Sequence, residues 1–82
     1  HIERELMMLK VSTKSSNKDD ILRLTDIFRG RVIDVTETTY TIELTGAGEK
    51  LDAFIAAMQA PILETVRSGA TGILRGEKAL RA

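Results

Sequence analysis

The sequence predicts an α+β two-layer sandwich, and three observations carry that prediction. Four short stretches are rich in apolar residues at strand spacing, two longer ones repeat apolar residues at helical spacing, and the six follow in the order strand, helix, strand, strand, helix, strand. With 82 residues there is room for one domain and one core, so residues 1–82 are read as a single unit. A composition 43% hydrophobic and 29% charged is that of a globular chain and too apolar for intrinsic disorder. The chain opens on His1 and runs directly into structured-looking sequence, which reads as a fragment of a longer protein.

Ile2 to Val11 forms the first strand, with Met7, Leu9 and Val11 on one face and Leu6 and Met8 on the other. Thr13 to Asn17 is a polar turn. Asn17 suits an N-cap that accepts from free first-turn amides, and Asp19 and Asp20 complement the helix dipole. The first helix runs from Lys18 to Arg29, with Ile21, Leu24, Ile27 and Phe28 as its apolar face and Gly30 as the left-handed residue that ends it. Arg31 to Thr36 is the second strand, placing Ile33 and Val35 on one face and Val32 on the other.

Glu37 and Thr38 turn the chain into a third strand, Thr39 to Thr45, in which Tyr40, Ile42 and Leu44 face inward. Gly46 and Gly48 break the alternation. Leu51, Phe54, Ile55 and Met58 then fall at i, i+3, i+4 and i+7 on a second helix that stops before Pro61. Ile62 to Arg67 is the last strand, and residues 69–82 are expected to be a short extra strand or tail. The order is that of the ferredoxin-like fold, a βαββαβ chain with both helices on one face of a four-stranded antiparallel sheet. The opposite face is left open. Leu6, Met8 and Val32 are expected to point there, and such an apolar patch marks an association surface, read here as a homodimer through the open sheet face.

Composition and residue placement exclude several kinds of chemistry. Twelve Lys and Arg balance twelve Asp and Glu, so the basic excess that drives nucleic-acid binding is missing. The three aromatics, Phe28, Tyr40 and Phe54, sit on helices or inward positions and offer no base-stacking platform. The longest apolar run, Ala53 to Met58, is far below the roughly 18 residues of a membrane span. No cysteine is present, which removes thiolate chemistry, disulfides and cysteine-ligated zinc. His1 is the one histidine and stands at the chain end, where it is read as inert. Asp19 and Asp20 point about 100° apart and are explained by the dipole. Met7, Met8 and Met58 are core or interface residues, and Gly46-Ala47-Gly48 is a strand-to-helix turn without nucleotide-loop spacing. An acylphosphatase-like hydrolase would need an arginine-bearing phosphate loop after the first strand, where only Lys14 is found. Arg29, Arg31, Arg67, Arg75, Lys78 and Arg81 could gather round an anion, with solvated surface charge as the plain alternative. No catalytic residue, cofactor or metal site emerges.

Several segments together resemble a known family. His1 to Leu6, then Asp26-Ile27-Phe28-Arg29-Gly30-Arg31-Val32-Ile33-Asp34-Val35, Tyr40 to Gly46, Lys50 to Phe54, Arg67-Ser68-Gly69 and Arg75-Gly76-Glu77-Lys78 are similar, in this order, to the C-terminal domain of the small, regulatory subunit of acetolactate synthase. Phe28-Arg29-Gly30 is the sharpest piece. The resemblance implies a cytoplasmic bacterial protein that follows an N-terminal ACT domain and partners the large subunit, which carries the thiamine diphosphate chemistry. It implies a role in activation and valine feedback inhibition in valine and isoleucine biosynthesis, and no catalytic residue is carried over. Arg29 and Arg31, flanking Gly30, are then candidates to contact acidic groups on the large subunit or the ACT domain. A reading from another class is a stand-alone small-metabolite sensor, with its ligand held between paired copies beside the Ser12 to Asn17 turn.

Overall fold

A computed structural model describes residues 4–69 of the chain. The elements are β1 (Glu5–Ser12), α1 (Lys18–Ile27), β2 (Arg31–Val35), β3 (Thr39–Gly46), α2 (Gly48–Ala57) and β4 (Ile62–Ser68). The strands form one antiparallel sheet in the order β2-β3-β1-β4. Met7, Leu9 and Val11 of β1 and Tyr40, Ile42 and Leu44 of β3 join Ile21 of α1 and Leu51 and Phe54 of α2 in a single buried core. One sheet face therefore carries both helices, as the ferredoxin-like reading expects. His1, the expected extra strand or tail beyond Gly69, and the Arg75, Lys78 and Arg81 cluster lie outside the described residues.

The core follows from alternation in the two central strands. Met7 stands opposite Leu44, Leu9 opposite Ile42 and Val11 opposite Tyr40, so two apolar rows interlock beneath the helices. Phe54 is fully buried and meets the Phe28 ring edge-on, with centroids 5.3 Å apart at 74°. The turn between β2 and β3 is held locally. Thr36 Oγ1 accepts from the backbone N–H groups of Thr38 (3.2 Å) and Thr39 (3.0 Å).

Four local expectations are corrected. Asn17 stands at the N-cap of α1, but its side chain turns back into the preceding turn: Oδ1 accepts from Lys14 N–H at 2.9 Å, and Nδ2 donates to Ser12 O at 3.4 Å. On α1 the buried partner of Ile21 is Thr25, whereas Ile27 is 68% exposed. At about 100° per residue, Thr25 lies some 40° round the helix from Ile21 and Ile27 some 120° away. Thr25 is accommodated because its hydroxyl donates to Ile21 O at 2.7 Å.

The third correction concerns the end of α1, where the left-handed residue is Arg29, at φ 59°, and not Gly30. Gly30 is required by close approach instead. A Cβ there would come 3.0 Å from both the Glu43 carbonyl oxygen and Leu44 Cδ1. The fourth concerns Val32. A register shift between Val32 and Asp34 makes Ile33 an extra residue, so Val32 faces Ile42 and Val35 faces Tyr40. Val32 therefore packs against the core instead of pointing to the open sheet face.

Candidate functional site

The open face is built from the alternate residues that the core does not use. Because β1 lies between β3 and β4, one register row crosses the whole sheet, with Arg31 opposite Glu43, Glu43 opposite Met8, and Met8 opposite Val66. The next row places Thr41 and Glu64 on either side of Lys10, and the row on the other side places Thr45 and Ser68 beside Leu6. Met8, Lys10, Thr41, Glu64 and Val66 line a shallow depression of about 190 Å³. Val66 and Met8 are both exposed and form its apolar side, with Lys10 and Glu64 as a charged border of opposite signs. Arg31 Nε donates to Glu43 Oε1 at 2.9 Å and closes the row at the β2 edge. The face is thus apolar in the middle and charge-balanced around it, a surface suited to meeting another protein surface.

Leu6 and Met8 are where the sequence places them, and Arg31 joins them as the end of the same row. Val32 does not. Arg29 lies apart, on the turn that closes α1, with its side chain exposed. Glu43 faces outward as the alternation of its strand predicts, and Val66 is the face residue that sequence reasoning missed. The alternation of Thr39 to Thr45 suffices for Glu43, whereas Val66 needs the β1–β4 register. That register contains a shift between Lys10 and Val11, which composition does not reveal.

Two further features bear on chemistry. A groove of about 200 Å³ runs between α1 and the end of α2, floored by Ile21, Leu24 and Met58 and edged by Asp20 and Arg23. At the opposite end, Arg67 donates to Asp52 Oδ1 and reaches Glu5 Oε2 at 3.3 Å, joining β4, α2 and β1. The hydrogen bond that Arg67 donates to Asp52, supported by Glu5, raises the guanidinium pKa above its ordinary value against the opposing effect of desolvation. Both acids are paired with a cation that never loses its proton, so this cluster is a structural clasp. The Asn17 amide is likewise committed to its own turn. Among the described residues, no group of three His, Cys, Asp or Glu side chains gathers to hold a metal. No helix among them is long and apolar enough to cross a membrane.

Comparison with known proteins places these features in a family context. The family model described as the small subunit of acetolactate synthase matches residues 4–76. The acetolactate synthase isozyme 3 small subunit of Salmonella typhimurium is 46% identical over 83 residues, covering 99% of this chain and 51% of that protein. The acetolactate synthase small subunit of Haemophilus influenzae is 51% identical over 80 residues, covering 95% of this chain and 49% of that one. The crystal structure of the acetolactate synthase small subunit from Thermotoga maritima superposes with a TM-score of 0.78 at 40% identity, covering 83% of this chain and 42% of that chain. The chain spans about half the length of the curated relatives it matches.

Proposed function

The chain belongs to the acetolactate synthase small-subunit family, and from that premise we propose that it is a non-catalytic regulatory domain supporting activation and valine feedback inhibition of the thiamine-diphosphate-dependent large subunit. The observation that carries this reading is the family match across almost the whole chain. The surface agrees in kind, since it offers an apolar, charge-balanced sheet face in place of a nucleophile with its base. In this reading the protein is cytoplasmic, acts in valine and isoleucine biosynthesis, and follows an ACT domain in its parent. The open face, centred on Met8 and Val66 with Leu6 and Arg31 beside them, serves as the homodimer contact. Its mixed charges suit a two-fold contact, because Lys10 and Glu64 of one copy can meet Glu64 and Lys10 of the other.

The test is reconstitution. Full-length small subunit added to purified large subunit is expected to raise acetolactate formation and to confer inhibition by valine, while the small subunit alone forms none. Acetolactate formation by the pure small subunit would overturn the assignment, as would a large subunit indifferent to its addition.

A further inference from the structure

The helix α1 ends on a residue that the backbone disfavours there. Arg29 N–H donates to Asp26 O at 3.0 Å and Gly30 N–H to Thr25 O at 2.9 Å, the paired bonds of a Schellman ending. The position after the cap in that motif takes a left-handed conformation and is normally glycine, yet here it is Arg29 at φ 59°. Gly30, one residue on, lies outside the left-handed region and is fixed by its approach to Glu43 and Leu44. The strain therefore falls on an arginine although glycine would carry none.

Nothing among the described residues occupies that arginine. Arg31 is committed to Glu43, and Arg67 to Asp52 and Glu5, whereas the exposed Arg29 side chain makes no hydrogen bond or ion pair there. The last turn of α1 holds no basic residue, so the helix dipole welcomes a cation. A lysine or arginine at position 26 or 27 would supply one without left-handed strain. Position 27 is instead an isoleucine, 68% exposed at the edge of the groove between α1 and α2. Strained backbone of this kind clusters at functional sites.

We propose that Arg29 is a docking residue for a carboxylate on a partner protein. The guanidinium fork can take both oxygens of an Asp or Glu. The proposal rests on the regulatory reading, in which the partner bearing that carboxylate is the large subunit.

The experiment compares Arg29→Gly and Arg29→Lys in full-length small subunit, measuring thermal unfolding and affinity for the large subunit. Arg29→Gly is expected to move the two readouts in opposite directions. Melting temperature rises as the strain is relieved, by about 2–4 °C for a chain about twice this length. Affinity falls about tenfold, as for loss of a charge-assisted contact. Arg29→Lys keeps the charge without the fork and falls between. If Arg29→Gly stabilises the protein and binds like the wild type, the arginine only complements the dipole and the proposal fails while the regulatory reading stands. If the wild type itself does not bind the large subunit, the regulatory reading fails and takes the docking residue with it.

Discussion

Met8 of β1 and Val66 of β4 stand directly opposite one another on the sheet face that the helices leave bare, 37% and 58% exposed respectively. Keeping such a pair wet is unfavourable by about 25 cal/mol for each Å². A negative charge at either position would be buried by any contact through this face. Met8→Glu and, separately, Val66→Glu are expected to shift the chain towards monomer in analytical ultracentrifugation with an unchanged circular dichroism spectrum. Variants that remain dimeric would move the contact to an unpaired edge at β2 or β4.

Gly30→Ala tests the packing between the exit of α1 and β3. The new methyl would meet the Glu43 carbonyl oxygen and Leu44 Cδ1, each at 3.0 Å, and Thr25 Cγ2 at 3.4 Å. Reduced freedom of the unfolded chain favours alanine by about 0.4–1 kcal/mol. The clash outweighs this, because Glu43 O is backbone in a paired strand and cannot swing aside, and overpacking costs about 1–3 kcal/mol. A lower urea midpoint with unchanged slope is the expected result. An equal or higher midpoint would mean that β3 yields without cost.

The Arg67 clasp predicts a pH-independent contribution. Its folded value is raised, so the stabilisation is fully present below the unfolded value and is lost only as pH rises through the still higher folded one, above the ordinary arginine range. Arg67→Gln is expected to lower the urea midpoint. The gap from wild type should stay constant from about pH 6 to about pH 10, where arginine keeps its proton. A gap that closes within that window would assign the contribution to another titrating group.

The sequence by itself determined the element order, both helices and the core. Met7, Leu9 and Val11, then Tyr40, Ile42 and Leu44, then Leu51, Phe54 and Met58 repeat with the periods of strand and helix, and burial follows period wherever the backbone is regular. It also determined the family, through the order and spacing of segments such as Phe28-Arg29-Gly30. Tertiary structure decided what happens where regularity stops. The extra residue Ile33 turned Val32 towards the core, and the β1–β4 register brought Val66 beside Met8. Within α1 the regular 100° step already favours Thr25 over Ile27 for burial, although hydrophobicity ranks them the other way. The clearest case is the end of α1. Composition assigns the left-handed turn to Gly30, but β3 lies so close behind it that this glycine is needed for lack of a side chain, and the positive φ passes to Arg29. A bulge, a register and a close approach are set by contacts between segments far apart in the chain, and the periodicity within a single segment carries no record of them.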